Sequence, residues 1–281
     1  MKFSLWTHNG AKNSRPVFDS FAHSILNAGG DVVYNDINSD VAVIWSVLWY
    51  GRMSSNKKVW DLFRSQNKPV IVLEVGGIKR GTTWKVGING INREAIFGPK
   101  NNGSERAELF NLKLKPWRVD GEYIIICGQH DKSHQWRNQP PMSNWILDTI
   151  STIREHTEKT IIIRPHPRSP LPLIEYEFKG VQRQDPQKLD GTYDDFDFNY
   201  QNAWAVVNWS SNPATQAVID GIPVFVGPDS LAWNVGNNSL TNINDPYMPN
   251  RQQWLNDLAY TEWTINEIAS GLPLKLLTHY L

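Results

Sequence analysis

The chain has 281 residues, of which 40% are hydrophobic and 20% are charged, and its formal net charge is zero. This length and composition are typical of a soluble globular protein of one or two domains. No run of about 18 apolar residues is present, so we expect no transmembrane helix and no association with a membrane.

The first part of the chain alternates between apolar strand-like runs and helix-like segments. We predict strands at residues 3–6, 31–34, 41–45 and 69–73, and helices at residues 17–28 and 56–66. Pro16 lies near the start of the first helix and Gly29 follows its end, which is the usual placement of these residue types. Continuous apolar runs separated by helices are typical of a parallel sheet covered on both faces.

The pattern breaks between residues 76 and 121, which are rich in Gly, Asn, Lys and Arg. It then resumes, with strands predicted at residues 123–127, 160–163, 203–207 and 223–226, and helices at residues 143–156, 213–219 and 252–280. We therefore predict an α/β protein with two Rossmann-like domains, residues 1–120 and 121–281, and a cleft between them. The last helix is expected to cross back onto the first domain.

The single cysteine, Cys127, lies in an apolar run. A lone buried thiol argues against a disulfide scaffold and against a thiolate zinc site, and it favours a cytoplasmic protein. The apolar stretch at the N-terminus is too short for a secretion signal. We interpret the acidic run at Asp194, Asp195 and Asp197 as a solvated loop, and we expect no metal site and a monomer.

Small polar residues follow the strand predicted at residues 203–207. Ser210 and Ser211 precede Pro213, the first position of the next helix, and Thr215 lies in its first turn. A helix N-terminus at the carboxyl end of a parallel strand offers N–H groups and a positive dipole end, and hydroxyls add donors. Residues 210–226 are therefore a candidate phosphate site; the alternative is a capped helix without a ligand.

Two other predicted strands also end in chemically distinctive residues. Arg164, His166 and Arg168 alternate with prolines that stiffen the turn. Such groups suit a diphosphate or a phosphate leaving group, although solvated arginines of a surface loop are the alternative. The strand at residues 123–127 ends in Gly128 and Gln129, where a glycine allows a ligand to approach the backbone closely.

In this order and spacing, the Gly-Gln, His-Pro and Ser-Ser elements resemble the donor half of GT-B glycosyltransferases. His166-Pro167 and Ser210-Ser211 are similar to elements of bacterial sialyltransferases and of the transferases that build capsular Kdo linkers. The run from Gln216 through Gly-Ile-Pro-Val resembles the Glu-Ala-x-x-x-Gly-x-Pro-Val element of many GT-B enzymes, with Gln216 where Glu is usual. The resemblance covers about residues 122–235.

This resemblance implies a glycosyltransferase that uses a nucleotide sugar, UDP-linked by preference, as co-substrate and requires no other cofactor. His166 is implied to contact a phosphate, and Asp229, which follows the next strand, is implied to meet donor hydroxyls. The candidate donor-binding residues are Gly128, Gln129, Arg164, His166, Arg168, Ser210, Ser211, Thr215 and Asp229.

Glycosyl transfer to a hydroxyl needs a group that takes up the acceptor proton, and in GT-B enzymes this base comes from the first domain. Glu74 is the first candidate, because it lies at the end of a predicted strand directly before a flexible glycine turn. His8 is the second, since plant-type GT-B enzymes use a histidine after the first strand. Asp19, early in the first helix, is the third. A cap, turn or ion pair is the alternative role for each.

The basic residues are in excess in residues 1–120 and the acidic ones in residues 121–281, a charge distribution that favours a polyanionic partner. This half resembles bacteriophage proteins, and some phages glycosylate 5-hydroxymethyl-pyrimidines in DNA with GT-B enzymes. We therefore predict double-stranded DNA with such bases as the acceptor, modified in the host cytoplasm. The candidate acceptor-binding residues, which offer charge to phosphates and a ring to a displaced base, are Arg52, Lys79, Arg80, Trp84, Lys85 and Arg93.

Two alternatives stay open. The first is a transferase of the same fold that modifies a polysaccharide or a lipid-linked glycan from a CMP- or UDP-sugar. The second is a module without enzymatic activity that binds a nucleotide or a glycan.

Overall fold

Two sets of apolar strands, one in each half of the chain, organise the fold. The computed structural model describes residues 1–190, 195–197 and 199–281. These residues divide into two units, the first formed by Met1–Arg106 with Asn256–Leu281 and the second by Ala107–Leu255. Each unit contains one sheet with helices packed against it. Among the described residues, no helix combines the length and the apolar character that crossing a bilayer requires.

The strands are β1 Lys2–Leu5, β2 Asp31–Tyr34, β3 Val41–Trp45, β4 Val70–Val75, β5 Thr83–Ile88, β6 Tyr123–Cys127, β7 Thr160–Arg164, β8 Val181–Arg183, β9 Ala203–Asn208, β10 Val224–Val226 and β11 Glu262–Thr264. The helices are α1 Arg15–Asn27, α2 Asn56–Ser65, α3 Glu105–Leu109, α4 Met142–Arg154, α5 Pro213–Ile219, α6 Gln252–Ala259, α7 Ile265–Ala269 and α8 Leu272–Leu277.

The sheet of the first unit has the order β11-β5-β4-β3-β1-β2. The four strands from β4 to β2 are parallel, whereas β5 and β11 are antiparallel to their neighbours. Alternate residues of β3 face two different cores. Val41, Val43 and Trp45 pack in the core that contains α1, and Ala42 and Ile44 pack in the core that contains α2. Helices on both faces explain why β3 is apolar at every position.

The sheet of the second unit has the order β10-β9-β6-β7-β8, and all its strands are parallel. Ile124 and Ile126 of β6 pack with α4, while Ile125 and Cys127 pack with α5. This is again a sheet between two layers of helices. The predicted α/β class with two Rossmann-like domains is confirmed.

The segment predicted to lack regular structure, residues 76–121, contains β5. All six residues of β5 are buried, and the strand lies between β4 and β11. The sequence analysis missed this strand: polar and apolar residues do alternate in β5, but Lys85 and Gly87 are uncommon in a strand that is buried on both faces. The short edge strand β8 was also missed.

The C-terminal segment predicted as one helix is divided into α6, β11, α7 and α8. Thr264 caps α7 in a reciprocal pair of bonds with Glu267, and this cap starts a new helix directly after β11. Arg106 pairs with Glu267 and lies 3.7 Å from the ring centre of Trp263. These contacts hold the C-terminal segment in the first unit.

Residues 107–120 belong to the second unit, whereas the predicted division lies at 120/121. Lys115 N donates to Ile219 O at 3.0 Å and Arg118 N donates to Gly221 O at 2.6 Å. These bonds join the segment to the end of α5 and the residues that follow it. The division of the chain therefore depends on contacts between residues that are far apart in sequence.

Candidate functional site

The carboxyl ends of β9, β6 and β7 lie side by side in the second sheet, because these parallel strands are neighbours. Gly128 follows β6, and its N–H donates to Arg164 O at 2.8 Å. A Cβ atom added to Gly128 would lie 3.3 Å from His166 N, a tight distance for a side chain. Glycine therefore lets the loop after β6 pass close to the loop after β7.

Gln129 joins the loop after β6 to the loop after β9. Its side chain is buried, and Oε1 accepts from Ser210 N at 3.1 Å and from Ser210 Oγ at 3.0 Å. A second amide orients the neighbouring serine, since Asn208 Nδ2 donates to Ser211 Oγ at 3.0 Å. The structure thus brings together the Gly-Gln and Ser-Ser elements.

Two histidines lie next to this pair of loops. The ring centres of His130 and His166 are 5.3 Å apart, with the planes at 70°. His130 Nδ1 accepts from Lys132 N at 3.2 Å, and His166 Nδ1 accepts from Arg168 N at 3.1 Å. In the neutral form, these backbone N–H groups favour a proton on Nε2 of each ring, whereas Asp131 Oδ1, 3.4 Å from His130 Nδ1, favours a proton on Nδ1 of His130. Burial lowers the pKa of His130, against the raising effect of the Asp131 charge.

His130 was not among the predicted site residues. The sequence feature that could have identified His130 is its position directly after Gly-Gln, at the end of a buried strand. The sequence analysis also missed Asn208, which it placed outside the strand predicted at residues 203–207. Asn208 is the last residue of β9 and is buried. Among the described residues its Oδ1 has no hydrogen-bond partner.

Two further predicted donor residues lie near strand ends. Asp229 follows β10, and its carboxylate lies 3.6 Å from Arg137 Nη1 in the loop after β6. Thr215 lies in α5, a helix of seven residues, and its hydroxyl donates to Asn212 O at 2.8 Å. The Thr215 hydroxyl therefore donates to a backbone carbonyl of its own turn. In this arrangement it does not donate to a phosphate, as the sequence analysis expected.

Arg164 is buried, whereas the sequence analysis gave it as a donor-binding residue. Its side chain is 3% exposed, and Nη2 donates to Gln184 Oε1 and, at 3.0 Å, to Asn199 O. Its guanidinium also lies 5.8 Å from the ring centre of Tyr200. These contacts direct the charge into the interior of the second unit, whereas Arg168 in the same loop is exposed.

No protein-family model matches this sequence, and no curated protein sequence matches it. Among solved structures, the chain is similar to the β-Kdo 2,7 transferase of Thermosulfurimonas dismutans KpsC. The identity is 14%, the match covers 98% of this chain and 100% of the other, and the TM-score is 0.52. The chain shares the fold of this transferase.

A second match is the β-Kdo 2,4 transferase of the same KpsC, with 11% identity, 96% and 98% coverage and a TM-score of 0.48. For the fold, the first of these matches confirms the resemblance to Kdo transferases that the His-Pro and Ser-Ser elements indicate. The resemblance to phage DNA glycosyltransferases stays a prediction.

The candidate bases of the first unit differ in their surroundings. Glu74 lies in β4, opposite Lys85 of β5, and its Oε1 accepts from the adjacent backbone N–H at 2.8 Å. His8 is exposed in the short turn after β1. Glu74 lies near the carboxyl end of β4 and His8 follows β1, so these parallel strands place both residues at the same edge of the sheet. Asp19 is exposed and pairs with Arg15 at 2.8 Å along α1, which favours an ordinary surface ion pair.

Two of the predicted acceptor-binding residues are interior. Trp84 packs in the core that contains α1, and Lys85 is 2% exposed. Burial lowers the pKa of Lys85, and the charges of Glu262 and Glu74 oppose this shift. The predicted contacts of these two side chains with DNA were wrong, because β5 is a central strand. The other predicted residues are exposed or half-buried, namely Arg52, Lys79, Arg80 and Arg93.

Within the part of the chain that the structure describes, no three His, Cys, Asp or Glu side chains gather in a metal-binding arrangement. Asp194 of the acidic run lies outside the described residues.

Proposed function

We propose that this protein is a glycosyltransferase that binds a nucleotide sugar at the carboxyl ends of β9, β6 and β7. One observation carries the proposal: the loops after these three strands bring Gln129, His166 and Ser210 together. In open parallel sheets, ligands bind at the carboxyl ends of the strands. Imidazole N–H and hydroxyl groups at this edge are suitable donors to phosphate oxygens.

The reaction would break the bond between the sugar's anomeric carbon and the phosphate oxygen of the donor. The acceptor oxygen forms the new bond to that carbon and loses its proton to a base. Negative charge grows on the departing phosphate, and donors that are already in place stabilise it without further reorganisation. His166 and Ser211 are the proposed donors to this charge, because Ser211 Oγ accepts from Asn208 whereas the Ser210 hydroxyl donates to Gln129. Glu74 is the proposed base, with His8 as the second candidate.

For the donor we propose a UDP-sugar, with a CMP-sugar as the alternative. A panel of both kinds, assayed for release of nucleotide, identifies the donor. We expect His166→Ala to lower turnover about 100-fold, the scale seen when one group that stabilises transition-state charge is removed. His23→Ala is the matched control, because His23 is an exposed histidine of α1 that contacts Asn27. Unchanged turnover in His166→Ala would contradict the proposed site.

For the acceptor we propose 5-hydroxymethyl-pyrimidines in double-stranded DNA. The support is the basic composition of residues 1–120 and the exposure of Arg52, Lys79 and Arg93. Electrophoretic retardation of duplex DNA at low salt tests the contact, since phosphate contacts weaken as salt rises. Mass spectrometry of nucleosides from hydroxymethylated DNA, incubated with protein and donor, tests the transfer.

An absence of retardation at low salt would refute the DNA acceptor and leave the glycan acceptor. Glu74→Ala separates an enzyme from a binding module. An enzyme that uses Glu74 loses turnover and keeps nucleotide affinity, whereas a binding module has no turnover in the wild type.

A further inference from the structure

We propose that His130 is a second phosphate-binding residue and that it acts as a pair with His166. This inference rests on the proposed nucleotide-sugar site and extends it to a residue outside the Gly-Gln, His-Pro and Ser-Ser elements.

The first argument is the position of His130 in the sheet. β6 lies between β9 and β7, so the loop that follows β6 is central among the three strand ends. Consecutive residues of this loop contact opposite neighbours: Gln129 bonds to Ser210 after β9, and His130 packs against His166 after β7. A ligand held by the loop after β9 and by His166 would therefore lie over His130.

The second argument is the matched geometry of the two rings. In each histidine, Nδ1 accepts the backbone N–H two residues further along the chain, at 3.2 Å for His130 and 3.1 Å for His166. This bond favours a proton on Nε2 in the neutral form, and at His130 it opposes the Asp131 carboxylate, whose Oδ1 lies 3.4 Å from Nδ1. The ring centres are 5.3 Å apart, so one phosphate that lies against both rings could accept from each of them.

The third argument is burial and charge. His130 is 5% exposed, and the charged groups around it are Asp131, Lys132 and Arg168. A neutral imidazole can donate from this position without the cost of burying a charge. The approach of a phosphate brings negative charge to the ring, which strengthens donation from Nε2. If His130 only packed against His166, its aromatic ring would suffice and its Nε2 proton would not be required.

The test compares nucleotides with their nucleosides. Binding of UDP, CMP, uridine and cytidine is measured by isothermal titration calorimetry for the wild type, His130→Phe and His130→Gln. Phenylalanine keeps a ring against His166 and removes the donor, whereas glutamine places an amide donor near the position of Nε2. His23→Phe is the control for replacing a histidine outside the site.

We expect His130→Phe to weaken binding of the preferred nucleotide about 10- to 100-fold, the scale of a hydrogen bond to a charged group. Nucleoside binding should not change, and His130→Gln should recover part of the loss. Equal losses for nucleotide and nucleoside, or an unchanged nucleotide affinity in His130→Phe, would overturn the inference. If His130→Phe does not fold, the nucleotide affinity of His130→Gln, expected within about ten-fold of the wild type, is compared with that of His130→Ala.

A second measurement separates this inference from the proposed function. Long-range ¹H–¹⁵N NMR spectra report which ring nitrogen carries the proton, and both His130 and His166 should carry it on Nε2 at pH 8. A proton on His130 Nδ1 would overturn the inference while nucleotide binding by the wild type still supports the proposed site. A wild type that binds neither UDP nor CMP would overturn the proposed function as well.

Discussion

Replacing Gly221 with alanine tests the packing at the end of the strand–helix–strand element that shapes the candidate site. Gly221 follows α5 and has a φ of +78°, a backbone conformation that side chains with a Cβ disfavour. A Cβ atom at this position would lie 2.0 Å from Pro116 O and 3.0 Å from Lys115 O. Both atoms are backbone atoms, so no side-chain rotation removes the contact.

The expected cost has two parts. The left-handed conformation costs an alanine about 1–2 kcal/mol. Relief of the contact requires the backbone at Pro116 to move, although the flanking residues Lys115 and Arg118 are bonded to Ile219 and Gly221. Overpacking of this kind costs about 1–3 kcal/mol. We therefore expect Gly221→Ala to lower the free energy of unfolding by about 2–5 kcal/mol.

Gly180→Ala is the matched control in the same unit. Gly180 has a φ of +70°, and a Cβ there would meet only Arg154 Nη2, the end of a flexible side chain, at 3.3 Å. Its expected cost is the conformational part alone, about 1–2 kcal/mol. Urea unfolding followed by tryptophan fluorescence gives both values. A loss in Gly221→Ala no larger than in Gly180→Ala would refute the reasoning about the Pro116 contact.

The other predictions concern titration and thiol chemistry. Because burial lowers the pKa of His130 in the folded protein, its contribution to stability is complete above the unfolded value of about 6.5 and is lost as the pH falls through the folded pKa. The thermal midpoint of the wild type should therefore fall more steeply between pH 7 and pH 5 than that of His130→Phe, and parallel curves would contradict this. Burial raises the pKa of Cys127 to about 11, so a disulfide reagent at pH 8 should label it slowly in the folded protein and rapidly in urea. Rapid labelling without urea would show that the thiol is accessible.

Several parts of the fold and site could be predicted because they depend on local patterns. Unbroken apolar runs such as β3 and β6 indicate strands that are covered on both faces. A parallel sheet then brings the residues after its strands to one edge, so the sequence alone groups Gln129, His166 and Ser210. The bonds between Gln129 and Ser210 join residues 81 positions apart, yet the topology of parallel strands implies that they approach each other.

The orientation of other side chains depends on contact residues that a local sequence pattern cannot identify. A cation at the end of a strand can face a ligand or the interior, and Arg164 faces the interior because Gln184 and Asn199 accept its protons. Trp84 and Lys85 have the composition of a basic, aromatic surface, but β11 returns from the C-terminus and encloses their strand.

The amino-acid sequence by itself therefore determined most of the parallel strands of the two sheets and the residues at their carboxyl ends, because the burial of a strand and the start of a helix are recorded in its own residues. Only the tertiary structure decided which side chains are buried, such as those of Arg164 and Lys85, and it also placed His130 against His166. Those outcomes depend on neighbours supplied by distant segments, whose positions are set when the sheets and helices pack.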